Sequence, residues 1–227
     1  MSHLDWFGLS IDLNDDGSLL CVGAPRNSEY GGYVQCFEEE KNLANPQWRL
    51  FGNMIRNDER PVRYDDNFGA SIKVSRDPTG TKHRIAIGVP GKNTDNAFDA
   101  GLVVVYEYNP STAERGWVQL GRTVLTSTNS GKDFQMGFSV DLQEDLLAVG
   151  IPGANGNAGR VEVFEFQRDS WQWEQNPSIF EGVTTTIAGS SNYGAAISMT
   201  PSGDFVIGYH KSNDNIGSVN FYRREIA

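Results

Sequence analysis

The side chains able to do chemistry are few and scattered. The three histidines, His3, His83 and His210, share no spacing that would bring two of them onto one metal. A nucleophilic serine on a strand-to-helix elbow would need a Gly-x-Ser-x-Gly motif, and none occurs. Gly8-Leu9-Ser10 and Gly137-Phe138-Ser139 come nearest, but both enter apolar, extended runs. There a hydroxyl is placed to serve neighbouring backbone groups. Gly153-Ala154-Asn155-Gly156-Asn157-Ala158-Gly159 has the glycine count of a phosphate loop. No helical run follows it, so no helix terminus would hold an anion. Asp65 and Asp66 are adjacent, and neighbours in sequence rarely converge, so they read as a solvated entry to Phe68-Gly69. Cys21 and Cys36 fall on two successive predicted strands. They are too sparse for a metal cage or a disulfide scaffold. The reading favours two buried free thiols, with a geometrically demanding cross-strand disulfide as the alternative. Nothing here assembles a catalytic constellation, and the chain reads as a non-enzyme.

Three glycine landmarks recur along the elements that carry these residues. An opening glycine stands beside an aromatic at Phe7-Gly8, Phe68-Gly69, Gly137-Phe138 and Tyr193-Gly194. A second glycine closes an apolar run at Gly23, Gly88, Gly150 and Gly208. A third precedes another apolar run at Gly32, Gly101, Gly159 and Gly217. The opening glycines are 61, 68 and 57 residues apart, and a period near sixty marks a repeat architecture. The copies cover residues 5–64, 65–132, 133–190 and 191–227 of a single repeat domain. A tryptophan-led segment follows at Trp48, at Trp117 and at Trp171 or Trp173, and the fourth copy ends before reaching one. The expectation is therefore four strands in each of three copies and three in the last, with the tryptophans packing between copies.

The turns agree. Asn14-Asp15-Asp16-Gly17 suits a tight hairpin, Pro78 and Gly80 break the chain in the second copy, and Gln143-Glu144-Asp145 is the shortest link. Residues 19–24 are almost wholly apolar, as befits a strand covered on both faces. Four-stranded antiparallel units packed face to face form a β-propeller, which is the fold class expected here: all-β, four blades, the last incomplete. A stacked sandwich would not explain the repeat.

Composition sets limits on partners. The net charge of −10 over 227 residues argues against a nucleic-acid or anionic-membrane surface. No apolar run approaches the roughly 18 residues of a membrane span. The start, Met-Ser-His-Leu-Asp-Trp, is not a signal peptide. With the last copy cut short, the chain reads as part of a longer protein.

These landmarks, Phe7-Gly8 through Gly23-Ala24-Pro25 and its three degenerate copies, resemble the FG-GAP repeat of the integrin α-subunit β-propeller. Trp117-Val118-Gln119-Leu120-Gly121 is similar to repeats of large extracellular and microbial FG-GAP proteins. The resemblance covers nearly the whole chain. It implies an extracellular or cell-surface adhesion module that binds a protein or glycan, with a structural or accessory scaffold module of a larger secreted or surface protein as the alternative. It also implies that strand one is innermost, and that one face carries ligands: the loops 26–30, 91–99, 153–158 and 211–215, with the connectors 57–66, 127–133 and 190–192. The candidate ligand residues on that face are Arg26, Asn27, Tyr30, Lys92, Asn93, Asp95, Asn155, Asn157, His210, Lys211, Asn213 and Asp214. The family's calcium sites lie in the hairpin between strands one and two. Asp12, Asn14 and Asp16 match the start of that pattern, and Leu20 stands where its final Asp belongs, so no cofactor is expected beyond a marginal calcium. An open set of four blades would leave two faces and a strand edge bare, and these would drive self-association.

Overall fold

The computed structural model describes residues 5–40, 47–57, 61–94, 97–111, 116–124, 133–181, 191–209 and 217–223. The fold is all-β, in four antiparallel sheets whose strands follow chain order. The first holds β1 (Ser10–Leu13), β2 (Leu19–Ala24), β3 (Tyr33–Glu40) and β4 (Gln47–Arg56). The second holds β5 (Ser71–Arg76), β6 (His83–Gly88), β7 (Val103–Asn109) and β8 (Gly116–Gln119). The third holds β9 (Ser139–Gln143), β10 (Leu146–Ile151), β11 (Arg160–Gln167) and β12 (Gln172–Glu181). Among the described residues the fourth holds three strands, β13 (Ala196–Met199), β14 (Phe205–Tyr209) and β15 (Ser218–Tyr222). This is the strand count expected from the repeats. The four-residue α1 (Ala154–Asn157) is a turn in effect, with Asn155 and Gly156 in the left-handed region.

In the first, second and fourth sheets the first hairpin closes on a polar side chain. Asn14 Oδ1 accepts from Leu19 N–H at 2.9 Å. Asp77 takes that place in the second sheet, its carboxylate accepting from Thr81 and Lys82 N–H, both at 2.8 Å, and from the Thr79 hydroxyl at 2.5 Å. Burial pushes the Asp77 carboxyl up, but the bonds from Thr79, Lys82 and Thr81 and the Arg84 charge outweigh it and hold it at about 2. In the fourth sheet Thr200 Oγ1 accepts from Asp204 N–H at 3.1 Å.

Successive sheets are joined by one device used three times. The hydroxyls of Ser10, Ser71 and Ser139 donate to the carbonyls of Gly69, Gly137 and Gly194, each at 2.7 Å. The glycine paired with each serine, Gly23, Gly88 or Gly150, lies under that same carbonyl. A Cβ at these positions would sit 2.2, 2.0 and 2.0 Å from the oxygen, so only glycine fits. Beside it the third landmark glycine, at 32, 101 or 159, bridges to Phe68, Met136 or Tyr193. These three side chains are at most 2 % exposed. Met136 therefore takes the aromatic's place in the third copy. Phe138, on the other side of the glycine, is 44 % exposed and matches Leu9 and Ala70 instead. The serines next to the opening glycines thus satisfy backbone, as their setting suggested.

Apolar side chains fill the space between sheets. Leu19, Val34 and Ile55 of the first sheet pack on Ile72, Ile85 and Ile87 of the second. The second and third sheets, and then the third and fourth, meet in the same way. β6 and β10 are buried on both faces. Trp117 and Trp173 pack against Gly52 and Gly121 of the preceding sheet, and Trp173 Nε1 donates to Leu120 O at 3.0 Å. Trp48, in the first sheet, meets no other sheet among the described residues and is 44 % exposed. The free-thiol reading is corrected: Cys21 and Cys36 are disulfide-bonded. Antiparallel register sets them directly opposite each other on β2 and β3, facing the second sheet and fully buried.

Candidate functional site

Because strands alternate in direction, the turns entering strand one and those leaving strand two lie at the same end of every sheet. Each entering turn carries a left-handed residue two places before the opening glycine: Trp6 (φ 55°), Asn67 (φ 59°), Gln135 (φ 56°) and Asn192 (φ 53°). Asparagine tolerates this conformation, whereas tryptophan and glutamine adopt it at a cost. Its presence in all four copies makes it a demand of the repeat. In the first three copies the residue at this position lines one gap between sheets.

That gap is a cleft of about 500 Å³ at the end of the first three sheets. Its lining repeats: Trp6, Asn67 and Gln135 from the left-handed position, and Leu9, Ala70 and Phe138 three residues on. Pro25, Arg26, Pro90 and Gly91 come from the turns after strand two, and Asp65 and Asp99 add carboxylates. Trp6 is half exposed and Leu9 slightly more than half. The Arg26 guanidinium lies 4.9 Å from the Trp6 ring centroid and 5.5 Å from that of Tyr64, between two aromatic rings. Gly91 and Gly153 stand at the matching place in the next two sheets. A Cβ there would fall 1.9 and 1.7 Å from the carbonyl oxygens of Asp65 and Asp133. Arg26 is thus a large side chain where the second and third copies have room for none.

Of the residues expected on this face, Arg26 alone lines the cleft among those described. Asn27 folds its own loop, accepting from the N–H groups of Glu29 and Tyr30 at 3.1 and 3.0 Å. Tyr30 lies under the Arg56 guanidinium at 5.0 Å, and a hydrogen bond with Glu29 raises its phenol pKa. Lys92 is 5 % exposed, its ammonium 3.0 Å from Asp66 Oδ2 and donating to Pro61 O at 2.7 Å. Asn93 Oδ1 accepts from Asp99 N–H at 2.8 Å. Asn155 and Asn157 are exposed on the loop of the third sheet. Asp95, His210, Lys211, Asn213 and Asp214 lie outside the described residues, as does His3. Asp66 corrects the solvated reading of the Asp65-Asp66 pair: it is fully buried, whereas Asp65 is exposed. The two do diverge, and only Asp65 reaches the cleft.

The calcium candidates also diverge. Asp12 Oδ2 turns to the next sheet, accepting from Val74 N–H at 2.7 Å, with Lys73 Nζ 3.5 Å from its other oxygen. Asn14 is 4 % exposed and engaged in the turn, and Asp16 lies 3.0 Å from the Arg76 guanidinium. Asp141 repeats the Asp12 contact by accepting from Met199 N–H at 2.7 Å. Burial raises its pKa. Among the described residues no group of three or more His, Cys, Asp or Glu is placed to hold a metal.

The residues missed by sequence reading are Trp6, Leu9, Asn67, Gln135 and Phe138. The signal was available in the repeat: each stands at a fixed offset from an opening glycine. The cleft's described lining has amide, carboxylate, guanidinium and apolar side chains but no hydroxyl, thiol, imidazole or amine. It is suited to stacking and hydrogen bonding. No protein-family model matches the chain, and no curated protein matches it.

Proposed function

We propose that this chain is a recognition module of the FG-GAP propeller kind, binding a protein or glycan without covalent chemistry, within an extracellular or cell-surface protein. The observation that carries the reading is the cleft itself. Half-exposed Trp6 and Phe138 stand beside the planar polar groups of Asn67, Gln135, Asp65 and Asp99. Apolar rings with a few fixed polar groups are the usual make-up of a small binding cleft. An exposed indole also supplies large contact area at little cost in conformational entropy. No cofactor enters the reading.

The test is a glycan array and a pull-down with the intact chain and with Trp6→Ala/Phe138→Ala. A saturable partner that loses at least about tenfold in affinity with the double variant, the size expected when an aromatic anchor is removed, supports the reading. A partner held equally well by the variant refutes it. The second reading, a structural module without a ligand of its own, is favoured by the uncovered apolar faces at the two ends of the sheet series.

A further inference from the structure

The second and third sheets each have a front that packs on the sheet before and a back that packs on the sheet after. At the front, Ile72 and Val140 are each 8 % exposed, whereas their counterpart Ile11 in the first sheet is 66 % exposed. Phe68, Met136 and Tyr193 are buried, whereas Phe7 is 52 % exposed. At the back, Val34, Val103 and Val161 are wholly buried, whereas their counterpart Val219 in the fourth sheet is 69 % exposed. Phe221, matching the buried Cys36, Val105 and Val163, is 57 % exposed. Among the described residues the series therefore begins with a bare front and ends with a bare back.

Two glycines sharpen this. Gly208 lies in β14 opposite Val219, where Gly23, Gly88 and Gly150 lie in their own sheets. Those three must be glycine because the next sheet's carbonyl occupies the Cβ position. At Gly208 a Cβ would meet only Ala196, no closer than 3.4 Å, and its φ is not positive. Nothing described in its own chain requires glycine there. At the other end Gly8 is the one opening glycine with nothing within 4 Å of its Cβ position, whereas Gly69, Gly137 and Gly194 rest against the preceding sheet.

We infer that two copies of this chain associate head to tail, the first-sheet front of one seating on the fourth-sheet back of the other. The Gly8 carbonyl takes the seat at Gly208, and Phe7 packs beside Gly217 as Phe68 does beside Gly32. The three internal interfaces specify the geometry, and a front fits a back rather than another front. Such a contact is heterologous, so it leaves one front and one back free in each pair and extends into a ring or a chain. Ala196 stands where the latching serines stand in the other sheets, so this joint lacks the hydrogen bond that the internal joints have. The inference is independent of the cleft.

Light scattering and sedimentation over a wide concentration range test it. The native chain should pass from 25.1 kDa to multiples of that mass. Gly208→Val blocks the back and Ile11→Lys blocks the front, and each alone should remain at the monomer mass. A mixture of the two should form a pair at twice the monomer mass, since each retains the face the other lacks. Val219→Lys provides a second block at the back, and unchanged thermal unfolding at low concentration establishes that each variant is folded. The inference is overturned by a native chain that stays monomeric throughout, by blocked variants that associate as the native chain does, or by a mixture that fails to pair.

Discussion

Gly88 and Gly208 occupy the same place in two sheets and live in different surroundings. Above Gly88 the carbonyl of Gly137 fills the space of a side chain, and above Gly208 there is room. The same contrast runs through Phe68 and Phe7, Ile72 and Ile11, and Trp117 and Trp48, where the first of each pair is buried and the second exposed. One sequence pattern thus has two energetic meanings. Inside the series it is a joint, and at an end it is an unused half of one.

The largest effect that would sharpen this contrast is at the glycines. Gly88→Val should cost more than about 4 kcal/mol or prevent folding, because backbone must move to admit the side chain. Gly208→Val, measured on dilute monomer, should stay within about 0.5 kcal/mol. Equal losses in urea unfolding would break the comparison. Next come the aromatics. Phe68→Ala should cost about 3–5 kcal/mol by opening a cavity, and Phe7→Ala no more than about 1 kcal/mol, since its ring already meets water.

A smaller effect is expected at the hairpin of the second sheet. Asp77 is held at about 2 in the folded chain, against 3.8 for an ordinary aspartate. A carboxyl depressed by folding stabilises above its unfolded pKa, and that contribution is lost as pH falls through the folded value. Asp77→Ala should therefore cost about 1–3 kcal/mol at pH 7, with the difference from the native chain shrinking between about pH 4 and 2. A difference unchanged by acid would mean that the carboxylate's charge contributes nothing. The smallest effect is at the latch: Ser71→Ala should cost about 1 kcal/mol as one hydrogen bond is lost. Matched denaturation curves of the two proteins would show the latch to be dispensable.

Much of the fold was legible because its signals are local and repeated. Alternation and turn residues placed the strands, and the glycine landmarks placed the copies. Trp117 and Trp173 proved to pack between sheets, as their period implied. The candidate site was barely legible. Arg26 was found, but Lys92 and Asn93 are polar loop residues spent on Asp66 and on Asp99 N–H. A polar side chain in a loop looks the same in sequence whether it faces solvent or ties down backbone. Met136 was hidden for a similar reason: once an aromatic beside glycine is taken as the mark, Phe138 draws the eye to the wrong side of the glycine.

By itself the sequence determined what is repeated: the strand count, the order of the sheets' strands, the hairpins and the periodic small residues. These follow from propensities and spacings that act over a few residues. Only the tertiary structure decided what each repeated residue meets. It joined Cys21 to Cys36 by register, buried Asp66 against Lys92, turned Asp12 to the next sheet's backbone, and gathered Trp6, Asn67 and Gln135 from three turns into one cleft. The reason is that a residue's energy depends on its neighbours in space, and copies alike in sequence have different neighbours at the middle of the series and at its ends.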